Sequence, residues 1–122
     1  MGYTKLSDAI EAGSTRYPQI QGAYCRVSAD GYGTCAIGAA YVALYDQLPI
    51  GAQQTGAVCR DVSAALGTDI MDEALTLPIP PGLNVHLFDD NQNYLASVVT
   101  GLNDGLGWSY QQIIDYLRQY GY

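Results

Sequence analysis

The spacing of apolar positions divides the chain into short periodic segments separated by glycine and proline. In residues 4–15, "TKLSDAIEAGST", Leu6, Ala9, Ile10 and Gly13 recur at intervals of three and four, which predicts a short amphipathic helix. Thr4 is placed to cap it, and Pro18 lies just past its end. Residues 22–34, "GAYCRVSADGYGT", change to a period of two. Ala23, Cys25 and Val27 alternate with Tyr24, Arg26 and Ser28, predicting a strand whose first set faces the core. Asp30-Gly31 suits a tight hairpin turn, because both central positions of that turn need positive φ.

From 35 to 46 the period disappears because nearly every position is apolar. Ala36, Ala39, Ala40 and Ala43 form a stripe of small side chains, with Ile37, Tyr41, Leu44 and Tyr45 on the other side. A helix apolar all round is a buried helix, and the small stripe lets a neighbour approach its backbone. Thr34 is its predicted cap. Thr55 opens a further helix with Val58, Val62, Ala65 and Leu66 inward, closed by Gly67. Thr68 is placed to cap another short helix reaching about Leu75. Pro78, Pro80 and Pro81 make the next stretch an extended connector. Leu83, Val85 and Leu87 then predict a strand that partners the one near residue 25.

Two helices follow. In "NYLASVVTGLND", Leu95, Val98, Val99 and Leu102 point inward; in "WSYQQIIDYLRQYG", Ile113, Ile114 and Leu117 do. Gly105 and Gly107 turn the chain between them, and Gly121 ends the second. Ser109 with Gln112 reads as a capping box, and Trp108 with Ile113 as a hydrophobic staple. Strands and helices do not alternate, which excludes a doubly wound sheet. The prediction is an α+β fold, a single mostly helical domain over residues 1–122. Four or five short helices surround the buried Ala-rich helix, with a small antiparallel sheet of two or three strands.

"KLSDAIEAG", "RYPQ", "CAIGAAYVAL" and "LNDGLGWSYQQIIDYL" resemble a widespread group of small uncharacterised bacterial and phage proteins. That group carries a K-L-S-x-A-I helix, a C-A-L-G-A-A helix and an ending L-N-D-x-x-G-W-S-x-x-x-I-x-D. The likeness covers the first 45 and the last 25 residues. It implies helices at both ends of the chain and assigns no functional residue.

Composition changes this picture most at the surface. The formal net charge is −7, and the basic residues Lys5, Arg16, Arg26, Arg60 and Arg118 are scattered. Phosphate binding needs concentrated positive charge, so nucleic acid is not an expected partner. No apolar run approaches the roughly 18 residues of a membrane helix. The first residues show no signal peptide, which favours the cytoplasm by default and leaves assembly outside the cell open. There is one lysine, and charged residues make up 14% of the chain, against about 25% usually. There are eleven tyrosines. A core this small cannot enclose them all, since each buried hydroxyl needs a partner. Surfaces rich in Tyr and poor in Lys and Glu are those of protein interfaces. The interface candidates are Tyr3, Tyr17, Tyr24, Tyr32, Tyr94, Tyr116, Tyr120 and Tyr122.

Candidate chemistry is sparse. Cys25, Cys35 and Cys59 form no C-x-x-C pair, so zinc has little support. A bridge between Cys25 and Cys35 across the hairpin stays open; the reading taken is three buried thiols. Cys35 at a helix start with His86 on a later strand has the layout of a Cys–His hydrolase, with Asp89, Asp90 or Asn91 to orient the imidazole. Against it, Cys35 runs straight into the core-like Ala36-Ile37-Gly38, and His86 alternates with Val85 and Leu87, so Cys35 is read as core. Asp89, Asn91 and Asn93 alternate like calcium ligands, but Tyr94 and Thr100 stand where the loop needs Gly and Glu. Asp90 or Asn91 is better read as a helix cap, and no metal or cofactor is expected. The last two helices are not a DNA-reading pair, as the second offers only Arg118 against Asp115. The expected function is a non-enzymatic structural protein that self-associates through its tyrosines, into a lattice, tube or filament. The alternative is a small accessory protein that binds another protein; the third reading is the Cys35–His86 hydrolase.

Overall fold

The computed structural model describes residues 3–21, 25–28, 31–49, 55–72, 75–78, 80 and 94–122. Among the described residues, five α-helices and a two-stranded antiparallel sheet make it α+β and mostly helical, as the sequence predicts. In chain order these are α1 (Leu6–Ser14), β1 (Cys25–Ser28), β2 (Gly31–Thr34), α2 (Ala36–Tyr45), α3 (Thr55–Leu66), α4 (Leu95–Thr100) and α5 (Tyr110–Gln119). The strand predicted at Leu83–Leu87 lies outside the described residues.

The Ala-rich helix α2 is central. Ala36, Ile37, Ala39, Ala40 and Val42 are all fully buried. Its small stripe receives α1 at very short range: a Cβ on Gly13 would stand 1.8 Å from the Ala39 carbonyl oxygen. Helix α2 ends at Asp46, a non-glycine residue in the left-handed region with φ 54°. Asp46 also pairs with Arg16 at 2.8 Å, tying the end of α2 to the segment after α1. On the other side α3 buries Val58, Cys59, Val62 and Leu66, and α4 and α5 complete the core with Leu95, Val98, Val99, Ile113, Ile114 and Leu117.

Several local expectations shift. The residue before α1 is Lys5 rather than Thr4, with no side-chain cap. The Ser7 N–H is instead met by the Tyr122 backbone oxygen at 3.2 Å, so a distant part of the chain replaces a local cap. The cap of α2 is Cys35, one residue after Thr34; its Sγ accepts from the Gly38 N–H at 3.4 Å. Ala65 is exposed, on the flank of α3, and Cys59 takes the buried position. Gly31 is paired with Ser28 as the first residue of β2, with φ 111°, rather than central to the turn.

The short helix predicted from Thr68 to about Leu75 does not form among the described residues 68–72 and 75. Gly67, at φ 73°, closes α3, and the chain then makes turns. The Asp69 carboxylate accepts from the Met71 N–H and the Ser63 hydroxyl accepts from the Ile70 N–H, both at 3.0 Å. These side chains give the backbone partners that a helix would otherwise provide. Helix α4 also departs from regularity. It widens into a π-helical turn over Gly101–Gly105, closed by a bond from the Leu106 N–H to the Gly101 oxygen at 3.2 Å. Helix α5 has the predicted capping box: the Gln112 N–H reaches the Ser109 hydroxyl at 3.2 Å, and the Ser109 N–H reaches Gln112 Oε1 at 2.9 Å.

Candidate functional site

Cys35 occupies the helix N-terminus that the sequence suggested, but its surroundings set its chemistry. The residue is 7% exposed. Burial, with the charge of Asp104 adding to it, pushes the thiol up to about 12, despite opposing bonds from the Gly38 and Ile37 N–H groups. A thiol with that pKa stays protonated at neutral pH, and the nucleophile is the thiolate. Cys25 and Cys59 are buried too. His86 and the Asp89–Asn93 stretch lie outside the described residues, so no dyad or calcium geometry is on view. Among the described residues no group of three His, Cys, Asp or Glu side chains is arranged to hold a metal. No helix among them is long and apolar enough to cross a membrane.

The polar centre of the fold is Asn103, which sequence reasoning missed. It is 1% exposed, within the π-helical turn. Its Oδ1 accepts from the Ala36 N–H at 3.1 Å and from Gln19 Nε2 at 2.7 Å. Its Nδ2 donates to the Ile20 carbonyl and to Asp104 Oδ1, each at 2.8 Å. Gln19 extends the network: Nε2 donates to the Trp108 carbonyl at 2.7 Å, and Oε1 accepts from the Tyr110 N–H at 3.0 Å. The Tyr110 hydroxyl donates to the Thr34 carbonyl at 2.6 Å and lies 2.8 Å from the Thr34 hydroxyl. Thr34 pairs on its other edge with Gln19, through a parallel bridge. Two amides therefore join the start of α2, the sheet and the α4–α5 turn. The N–H groups at the start of α2 that face them are already occupied, which leaves no open anion cradle there. Polar residues separated by more than eighty positions leave no periodic trace, so no sequence signal marks this centre.

The candidate tyrosines divide into two kinds. Tyr3, Tyr94, Tyr116 and Tyr122 are half-buried and pack against the core. Two of their hydroxyls hold the connector after α3, Tyr116 to the Pro78 carbonyl at 2.7 Å and Tyr122 to the Thr76 carbonyl at 3.2 Å. Tyr17 is half-buried, and Tyr24 lies outside the described residues. Tyr32 and Tyr120 are exposed, at 40% and 41%. The structure joins Tyr116 and Tyr120 to Trp108 in one chain of rings. Trp108 and Tyr116 meet edge to face at 5.5 Å, and Tyr116 and Tyr120 at 5.2 Å. Burial, and then Tyr120 beside it, pushes the Tyr116 hydroxyl up to about 12. The row runs outward from half-buried Trp108 to exposed Tyr120 along α5.

Comparison with family models, with curated proteins and with solved structures finds no match to this chain.

Proposed function

We propose that this protein is a non-enzymatic structural protein that self-associates through its aromatic surface. The observation that carries the reading is the contiguous row Trp108–Tyr116–Tyr120, which ends at the surface at the residue that closes α5. Rigid amphipathic rings supply contact area at low entropic cost, and Trp and Tyr dominate the energetics of protein contacts. The rings are mutually steep, with interplanar angles of 89° and 69°. They present edges rather than one flat stacking platform, which suits an interdigitating protein surface. The protonated, occluded Cys35 thiol weighs on the same side, because it removes the nucleophile of the hydrolase reading.

The test is sedimentation velocity with negative-stain microscopy at high protein concentration. Wild type is expected as species larger than one chain, and Tyr120→Asp shifts the distribution to smaller ones. A wild type that remains a single-chain monomer at millimolar concentration would sink the proposal. A stable complex with a different protein, lost in Tyr120→Asp, would then move the same surface to the accessory-protein reading.

A further inference from the structure

The fold has an apolar knob at one end and an apolar hole at the other. The hole has a volume of about 340 Å³; Leu6, Leu66, Ile70, Leu75 and Leu95 are among its lining residues, with Thr4 and Lys5 at the start of α1. The knob is Leu106, 40% exposed between Gly105 and Gly107. Its exposure has a cause. Leu102 is fully buried, and a regular α-helix would carry a residue four positions later onto the same face. The π-helical turn bonds Leu106 back to Gly101 and swings it off that face. The flanking glycines lack Cβ atoms, which leaves the leucine without side-chain neighbours in sequence, although the Gln21 amide already lies 2.9 Å from where a Cβ on Gly107 would stand.

Knob and hole belong to opposite ends of one helical hairpin. Leu95 at the start of α4 and Tyr122 after α5 both border the hole, while Leu106 lies at the turn between the helices. The helical span from Leu95 to Gly105 separates them by roughly 15 Å. Charge matches as well: Asp104 is exposed two residues before the knob, and the hole carries Lys5, the one lysine of an acidic chain. We infer that Leu106 of one copy seats in the Thr4–Lys5–Leu75 hole of the next, a head-to-tail contact between copies of this chain. Such a contact uses two different surfaces, so it cannot close as a two-fold pair and runs on from copy to copy, into an open row or a ring according to the rotation between copies. It rests on the self-association reading and adds a second contact to the aromatic one.

Two exposed-site variants separate the cases, both made in a Tyr120→Asp background that silences the aromatic contact. Leu106→Asp removes the knob and keeps the hole; Thr4→Trp fills the mouth of the hole and keeps the knob. Each alone is expected to sediment as monomer, while their equimolar mixture forms a species of twice the monomer mass, since one intact knob and one intact hole remain. If Leu106→Asp assembles as its parent does, the head-to-tail contact is wrong and self-association stands. A mixture that stays monomeric likewise overturns the pairing. If wild type itself never assembles, both readings fall together.

Discussion

Gly13 lies against the carbonyl of Ala39, so close that a Cβ on Gly13 would stand 1.8 Å from the oxygen. Helices α1 and α2 meet there backbone to backbone. The obstacle is main chain of a buried helix, which cannot swing aside as a flexible side chain does. Gly13→Ala is expected to cost about 3 kcal/mol by overpacking, read as a fall of roughly 10 °C in the thermal midpoint followed by circular dichroism. A midpoint unchanged within about 2 °C would mean the helices slide apart at little cost.

Asn103 and Gln19 act as one unit. Removing Asn103 takes a partner from the buried Ala36 N–H and the half-buried Ile20 carbonyl, and removing Gln19 takes one from the half-buried Tyr110 N–H. Asn103→Ala is expected to destabilise by about 3 kcal/mol in urea unfolding. With Gln19→Ala in a double-mutant cycle, the coupling should reach about 1 kcal/mol. Additive losses would show two independent bonds rather than a network.

Ser7 supplies the opposite case. It is fully buried, and its hydroxyl has no hydrogen-bond partner among the described residues. Ser7→Ala removes that polar burden and adds a better helix former, so stability should rise by about 1 kcal/mol. Urea unfolding that shows a loss would reveal a bond the hydroxyl makes.

Cys35 and Tyr110, besides Tyr116, make the fold sensitive to alkali. The Cys35 thiol is pushed from 9.0 to about 12, and burial pushes the Tyr110 hydroxyl from 10.0 to about 12. For each, the folded-state value lies above the unfolded one. Their neutral forms therefore contribute fully below about pH 9, and the contribution is lost as pH climbs towards 12. Stability should fall across that window, and Cys35→Ser, which keeps a capping atom, should soften the early part of the fall. Native protein at pH 8 should resist iodoacetamide at Cys35 by peptide mass mapping; rapid labelling there would contradict the buried thiol.

Arg118 spans from α5 to α1, with Asp8 at 2.9 Å and Glu11 at 3.0 Å. Glu11 first and Asp8 second raise its pKa. All three side chains are substantially exposed, so salt screens them. Arg118→Ala should lower the thermal midpoint slightly in dilute buffer, and the gap should close at about 1 M salt, where the Debye length is about 3 Å. A salt-independent loss would point instead to packing by the arginine stem.

Most of the helices were legible because they write a buried face into the chain at a fixed interval, and α2 because its unbroken apolar run marks a helix buried all round. Val98, Val99, Leu102, Ile113, Ile114 and Leu117 are buried as their spacing implies. The Ser109–Gln112 box was legible for the same reason, since its bonds are local. What was illegible depends on distant partners. Thr34 looked like a cap, but its hydroxyl belongs to Tyr110. The turns after Gly67 replaced a helix because Ser63 and Asp69 offered side-chain acceptors. The tyrosines carried a compositional signal, yet composition could not separate Tyr116 and Tyr122, tied by hydroxyl to the connector, from exposed Tyr32 and Tyr120.

The π-helical turn can be read as one surplus residue in an otherwise regular helix. Each residue of an α-helix advances the chain by about 100° around the axis, so the surplus resets the phase of everything after it. A one-residue deletion at Asp104 would restore the ordinary ladder and place the leucine now at position 106 three residues after Leu102, on the inward face. The knob would vanish without any change in amino-acid composition beyond one aspartate. For this chain the length of a single helix, counted in residues, sets which hydrophobic side chain is held in the core and which is offered to the outside.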